Sequence, residues 1–594
     1  MVLLRFKNIG KKCFPFITIV LIALFILSPQ INIRFIPIGS DISFHYNRFY
    51  DLSEQIRSGN YNYFMSLYGF NTSGRIINAL YGYDIAFLNG LILFFTQSWL
   101  KFQLISSFIC LVIAGITMYF LMRTFDCDKR LSTVGSVIYM ASSPIMYYVR
   151  ALGFSGWGAA FLPCIFIQAI RSIKNKEKPI NPIFLGLSMS LLVNTHILSA
   201  VLAILAIIPF YLVSFIQSDK KLNWIKQLSL SITIFTLLSL NTLAAYIDVF
   251  LSNNILQPFI PNSFMKNSTY ISITEMYGNR NIGIFFGFIF LFQLIYFIRH
   301  IKYTDTLDRL MTTIGGGFLL LSTSLFPWDS IIDTFPFLSI IQFPFRFSVI
   351  SYILLIPVFL KTIHSIEQHI SIKQFKAISL SLMILVSFIL FEANSIMVKN
   401  AQRWQDDPVA MGNNRPNLIE KDPDMIRNNL RGADLTKIFE TIEKGTPDYL
   451  PIPKETSSQV IYSEMDPYEV YEQEIFNNQK NITTTVLENG SIKLTWDNKK
   501  NVTTKKQLPL IVYDHSIIEL NGKLLTKSDY ETSDIGSLII TPKNGKNTVI
   551  LSYKPFVNMT YVIFIKIAAT LLVLLYCARY SYQYFTDKKK REIL

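Results

Sequence analysis

Along its first two thirds the chain alternates apolar blocks of about twenty residues with short polar connections. The blocks fall at 13–31, 101–122, 131–148, 154–171, 181–197, 198–216, 226–249, 281–298, 308–326, 345–362 and 374–393, and one more closes the chain at 558–578. Each is near the length that crosses a bilayer as a helix, about 20 residues. The connections at 123–130, 171–180, 217–226, 299–309 and 361–376 are rich in Lys and Arg. Keeping all of them cytoplasmic requires both termini inside and twelve spans. Residues 81–97 are also apolar, but counting them as a span would turn five basic loops outward. They are expected to form a re-entrant or interfacial segment on the outer side, where Asp84 and Asn89 face protein or water rather than lipid.

The external loop 32–100 is then long. Within 41–57, apolar Ile42, Tyr46, Phe49, Leu52 and Ile56 recur at helical spacing, with Asp41, His45 and Arg48 on a neighbouring face. A short helix lying on the membrane with its polar face toward a cavity is expected. From 394 to 557 the chain becomes polar, beginning with mixed turns and helix that include Asn413-Asn414-Arg415-Pro416. After Ile482 it alternates as strands, punctuated by Asn489-Gly490, Asn521-Gly522 and Asn544-Gly545. The expected organisation is a transmembrane module 1–393, an extracytoplasmic domain 394–557 ending in a β-sandwich, and a last span with a basic cytoplasmic tail, 558–594.

Composition agrees with this class. Of 594 residues 51% are hydrophobic and 16% charged, with a mean hydropathy of +0.36; a soluble chain carries roughly a quarter charged residues. The net charge of +15 would suit nucleic acid, but the excess gathers at span ends, at Arg5, Lys7, Lys11 and Lys12 and at Lys588 to Arg591. That is positive-inside patterning with some attraction to anionic lipid, and nucleic acid is excluded as a partner. The five cysteines lie in or beside spans and form no CxxC or CxxH pair, so neither disulfides in the polar segment nor structural zinc is expected. The first span has a basic lead and no A-x-A site after it, and reads as an uncleaved anchor.

Ionisable residues near the outer membrane edge are the candidate chemistry, because a charge there is costly to hold. Asp41 stands first. It reads either as a helix N-cap or as a carboxylate that orients and deprotonates a hydroxyl. His45, one turn on, is positioned to share a hydrogen bond with Asp41 or to meet an acceptor, and reads equally as an interfacial polar residue. Arg346, directly after Phe343-Pro344-Phe345, reads as a phosphate fork or as an interfacial arginine that snorkels. Arg280 and Arg150 are further phosphate candidates, and Arg48 shares the face of Asp41. His196 reads mainly as a polar group bonded between helices. Asp84 is the second-choice acid, and Asp248 also falls near the outer interface. The sequons at Asn71, Asn267, Asn481, Asn489, Asn501 and Asn558 arise readily in a chain this rich in Asn, Ser and Thr.

Several motifs carry a resemblance. Gly39-Ser40-Asp41 with His45, Asn194-Thr195-His196-Ile197-Leu198-Ser199, Ile341-Gln342-Phe343-Pro344-Phe345-Arg346, Asp448-Tyr449-Leu450-Pro451 and Asn521-Gly522-Lys523 resemble those of YfhO-like bacterial membrane proteins, in order over nearly the whole chain. That group includes proteins labelled 6-pyruvoyl-tetrahydropterin-synthase-related, a chemistry excluded here because the six histidines are scattered. The architecture is similar to GT-C glycosyltransferases. That likeness implies sugar transfer, with inversion, from a polyprenyl-phosphate donor to a surface polysaccharide, teichoic-acid-like polymer or glycolipid at the outer face of a bacterial plasma membrane. In that frame Asp41, as base, and His45 are the catalytic residues, and Arg346, Arg48, Asp84, Arg280 and His196 bind the substrates. No cofactor is obligatory; a divalent cation is the one that relatives by fold use. A transporter or flippase of lipid-linked saccharide, or a non-catalytic envelope scaffold, are the alternative readings. A transporter favours inverted repeats and charges at mid-membrane depth; the acids here gather at the outer edge.

Overall fold

The computed structural model describes residues 2–39, 41–272, 278–409, 417–498 and 504–593. Ser40, Tyr277, Asn413 to Pro416 and the Asn501 sequon lie outside the described residues. Among the described residues, sixteen α-helices precede the polar segment. The first five are α1 (Val2–Ile33), α2 (Ile42–Ser58), α3 (Tyr83–Thr96), α4 (Trp99–Thr124) and α5 (Lys129–Met140). Next come α6 (Ser143–Ala151), α7 (Ser155–Lys174), α8 (Pro182–Val193), α9 (Ile197–Gln217), α10 (Lys221–Leu238) and α11 (Leu240–Ser252). Then follow α12 (Gly283–His300), α13 (Thr306–Ser322), α14 (Trp328–Thr334), α15 (Ser348–Glu367) and α16 (Ile372–Asp406). The final helix, Met559–Ile593, follows the polar segment.

Among the described residues, eight helices are long and apolar enough to cross a membrane, or nine when α10 and α11, bent by 72° about Ser239, count as one broken span. The chain is a multi-pass helical membrane protein. Twelve blocks were expected, and the difference lies in three of them. Block 131–148 divides into α5 and α6 around Ser142, ahead of Pro144. Block 181–197 is the 12-residue α8, which starts at Pro182 behind an Asn181 cap and ends at Asn194. Block 308–326 is the 17-residue α13, about 25 Å long at 1.5 Å per residue, against a hydrocarbon core of about 30 Å. The segment 81–97 is the 14-residue α3, about 21 Å long and too short to span.

The bundle packs α4 against α5 and α7, α7 against α9, and α13 against α15. Apolar residues such as Leu111, Trp157, Phe166 and Tyr352 are fully enclosed. Helix α2 is not laid on a membrane surface. It packs along α3, its Tyr46 stacks 4.1 Å from Trp99 of α4, and His45, Arg48 and Asp51 are all buried. A charge-bearing helix survives burial only when its polar atoms are bonded. Here Asp51 accepts from the backbone N–H groups of Leu67 (2.7 Å), Tyr68 (2.8 Å) and Gly69 (3.3 Å), fixing the loop that follows.

Helix α16 runs for 35 residues with a capping box at Ser371–Gln374. Near its far end the helix Pro423–Arg431 is clipped to it: Arg427 donates to the carbonyls of Trp404 and Gln405, at 3.1 and 2.7 Å. Arg431 of the same helix donates to Ile33 and Arg34 at the end of α1.

The strand pattern forms two antiparallel sheets. One has five strands in the order Ile482–Val486, Ile492–Asn498, Gly545–Tyr553, Ser516–Leu520 and Lys523–Leu524; the other has three, Glu531–Thr532, Ser537–Ile540 and Lys506–Ile511. Their apolar faces share Leu494, Trp496, Leu508, Ile540 and Val549, and Met65 and Leu67 of the first long loop join the same core. The β module is thus welded to the loop that carries the site. Asp248, on α11, adds a polar tie. It accepts from His515 Nδ1 (2.6 Å), the Tyr553 hydroxyl (3.0 Å) and the Phe556 N–H (2.9 Å). The five cysteines are all free.

Candidate active site

Asp41 sits immediately before α2 and makes no capping hydrogen bond to it. Its carboxylate instead accepts from the Tyr147 hydroxyl at 3.4 Å, across from α6. Two glycines make that approach. A Cβ on Gly39 would lie 2.5 Å from the Ala151 carbonyl, and one on Gly153 would lie 2.3 Å from the Tyr147 ring. The sequence therefore needs glycine at both places for Asp41 to meet Tyr147.

Tyr147 also lines a pocket of about 40 Å³ with Ser143, Ser155, His196, Ser199 and Arg346 as its polar rim and Leu198, Leu202, Phe345 and Val349 as its apolar wall. Arg346 donates through Nη1 to the Ile341 carbonyl (3.1 Å) and to Gln342 Oε1 (3.2 Å). Its guanidinium also lies over Phe343, 4.8 Å from the ring centre. Nε and Nη2 donate to no described residue, so half of the fork remains for a ligand. His196 caps α9: its Nδ1 accepts from the Ser199 N–H at 3.2 Å and meets the Ser199 hydroxyl at 2.9 Å.

Beneath Asp41, Arg48 is buried and bonded to neutral partners only. It donates to Asn78 Oδ1 (3.1 Å), to His45 Nδ1 (3.2 Å) and to the Tyr81 carbonyl, and it stacks 4.7 Å from the Tyr81 and Phe154 ring centres. Burial lowers its pKa to about 10, so it stays charged at neutral pH. Burial, reinforced by Arg48, holds the His45 imidazole well below its usual range, so His45 is neutral and acts as an acceptor for Arg48. The hydrogen bond foreseen from His45 to Asp41 is not made; the ring serves Arg48.

The remaining candidates stand apart. Asp84 forms an ion pair of 2.5 Å with Lys566 of the last helix. Arg280 is exposed and donates to the Lys266 carbonyl. Arg150 donates to Asn279, which also lines the pocket. Asp248 belongs to the tie with the β module described above. Among the described residues no three or more His, Cys, Asp or Glu side chains are gathered to hold a metal ion.

Sequence reasoning passed over Tyr147, which joins the acid to the pocket, and gave no role to Asp448. Asp448 is coupled electrostatically to Asp41, Arg75 and Lys444, and burial raises its carboxyl above the usual range. Its presence in Asp448-Tyr449-Leu450-Pro451 was the one signal available. Arg75, fully buried, donates to Thr446 Oγ1 (3.0 Å) and to the Asp448 carbonyl (2.5 Å), and stacks on Tyr471. It anchors that loop of the polar segment over the site.

Fold and site thus describe a multi-pass helical membrane protein with a β module seated on its first long loop. No family model matches the chain, and no curated protein matches it. Among solved structures it is similar to the apo oligosaccharyltransferase of Archaeoglobus fulgidus, at 11% identity and a TM-score of 0.38, over 71% of this chain. It covers 60% of that enzyme's length. The resemblance to YfhO-like proteins rests on its motifs alone.

Proposed function

We propose that this protein is a membrane glycosyltransferase of the GT-C type. In this reading it moves a sugar, with inversion, from a polyprenyl-phosphate donor to a cell-surface glycopolymer or glycolipid at the outer face of a bacterial plasma membrane. Both termini are cytoplasmic and the β module lies outside. The observation that carries the reading is the pairing of Asp41 with a phosphate-sized cationic pocket through one residue, Tyr147. Arg346 offers two unused donors at the rim, serine hydroxyls surround it, and the apolar wall suits the first units of a prenyl chain.

In the reaction, an acceptor hydroxyl oxygen attacks the anomeric carbon. Its proton passes to the Asp41 carboxylate, and the bond from the anomeric carbon to the phosphate oxygen breaks. The electron pair leaves with the polyprenyl phosphate, whose charge Arg346 stabilises. Tyr147 orients Asp41, while His45 and Arg48 hold the floor beneath it.

The test is surface-glycan composition in cells lacking the protein, complemented with wild type or Asp41→Asn at matched membrane levels. Loss of one sugar substituent, restored by wild type alone, is the expected result. Full restoration by Asp41→Asn would remove Asp41 from the chemistry and return the scaffold reading.

A further inference from the structure

The carboxylate of Asp448 makes no hydrogen bond or ion pair to another described residue, although its loop is fixed with care. Arg75 grips the main-chain carbonyl of Asp448 and the Thr446 hydroxyl, while the Asp448 carboxylate meets only its own backbone N–H and the nearby charges of Arg75 and Lys444. The Tyr513 hydroxyl donates to the Tyr449 carbonyl at 2.9 Å, and Tyr449 is held at φ +61°. A non-glycine residue at positive φ carries strain, which persists when the surroundings dictate it. The strain here turns the chain from Asp448, whose neighbour Tyr449 lies 6.3 Å from the ring of Tyr81 at the floor of the site, into the extended run Pro451–Ile452.

That run pairs antiparallel with Asn254–Ile255 and enters a second opening. A groove of about 290 Å³ lies between Pro451–Lys454, the end of α11 and the edge of the β module. It is wider than the pocket of about 40 Å³ at Arg346. Its lining carries two cations, two acids and an aromatic ring: Lys454 and Lys527 share Asp514, at 3.8 and 2.5 Å, and Tyr530 and Glu531 stand beside them. Mixed charges of balanced sign with an aromatic face suit a ligand of hydroxyls and C–H faces better than a polyanion or an acyl chain. From Asp448 to Lys454 the chain reaches at most about 20 Å, so Asp448 and the groove are two stations that one extended saccharide can reach together.

We infer that the acceptor is an extended, largely uncharged saccharide polymer that lies along residues 448–454. Asp448 accepts hydrogen bonds from the hydroxyls of its reacting end, and the groove at Lys454, Asp514, Lys527 and Tyr530 holds units several residues away. This selects a glycopolymer over a glycolipid headgroup of one or two sugars, which would be too short to fill both stations. It rests on the acceptor role proposed above, but it is read by binding rather than transfer.

The probes are size-fractionated saccharides released from the envelope of the cells that make the protein, measured against the full-length chain in lipid nanodiscs. Affinity is expected to rise at least tenfold once fragments are long enough to reach the groove. Tyr530→Ala and Lys527→Ala, both at the module surface, should flatten that rise without changing the affinity of the shortest fragments. Asp448→Asn should weaken all lengths alike. Length-independent affinity, an unchanged rise in both groove variants, or preference for poly(glycerol phosphate) over the neutral fragments would overturn the inference. If length-dependent binding holds while Asp41→Asn leaves the surface glycan intact, the groove stands and the transferase reading falls.

Discussion

Asp248 gives the sharpest quantitative expectation, because one buried side chain takes three donors from the β module and its exit to the last helix. Oδ1 serves His515 and Tyr553, and Oδ2 serves the Phe556 N–H. Asp248→Ala removes all three acceptors at a position 5% exposed. His515, about a third exposed, turns to water at little cost. The Tyr553 hydroxyl and the Phe556 amide are left without partners, at about 1–2 kcal/mol each. The sum is about 3 kcal/mol, which multiplies the local opening equilibrium about 100-fold. Asp248→Asn behaves differently. With the amide oxygen toward Phe556, its NH₂ faces an imidazole nitrogen and a hydroxyl that both can accept, and the cost falls to about 1 kcal/mol, or about fivefold. Amide hydrogen exchange of residues 545–558 in the full-length protein reads both values. An increase of fivefold or less for Asp248→Ala, or equal effects of the two variants, would refute the assignment of this carboxylate as the tie.

Other outcomes follow from the site. Arg346→Ala should weaken binding of undecaprenyl phosphate by about 10- to 100-fold, the value of one or two charge-assisted hydrogen bonds, measured by titration in nanodiscs; an unchanged affinity would move the phosphate elsewhere. Asp41→Asn should slow transfer by about 10²- to 10⁴-fold, whereas Asp84→Asn breaks only an ion pair at the last helix and should leave the surface glycan intact; the opposite pattern would exchange their roles. Gly39→Ala must push the Asp41 loop off Ala151, given a Cβ 2.5 Å from its carbonyl, so the surface substituent should be lost while the protein still reaches the membrane in wild-type amount. His45 is held neutral in the fold and protonates near 6.5 when unfolded, so its contribution is complete above that pH and declines as pH falls below it. Between pH 7.5 and 5.5 the wild type should lose about 1 kcal/mol more stability than His45→Gln, read by thermal unfolding at both pH values.

The apolar blocks and the Asn-Gly turns were legible because each is a local signal: hydrophobic length for a span, left-handed backbone for a hairpin. Asn521 and Gly522 do adopt positive φ between Ser516–Leu520 and Lys523–Leu524. Short spans were overcounted because hydropathy does not register that Pro144 and Pro182 open new helices or that Asn194 ends one. Helix α2 was misread as interfacial for a different reason. Its polar face looks solvated until the distant partners of Arg48 and Asp51 are known, and those are carbonyls and amides that no side-chain pattern displays. Asp41 was visible as a costly acid, but Tyr147 was not, because the contact depends on two glycines 114 residues apart, Gly39 and Gly153. Asp448 lies 407 residues after Asp41, so only the fold couples the two electrostatically.

The 35 residues of α16 amount to a rod of about 52 Å, some 20 Å more than the hydrocarbon of a bilayer can cover. Its free length is braced by the helix Pro423–Arg431, which also holds the end of α1. Rod and brace together act as a surveyor's staff. They fix how far from the lipid the polar segment stands, and each rung changes that height by 1.5 Å while turning the brace by about 100°. Altering the rod by seven residues would preserve its facing within about 20° and lower the platform by about 10 Å. The height at which the polar segment stands is therefore written in the length of one helix, independently of the residues that line the site.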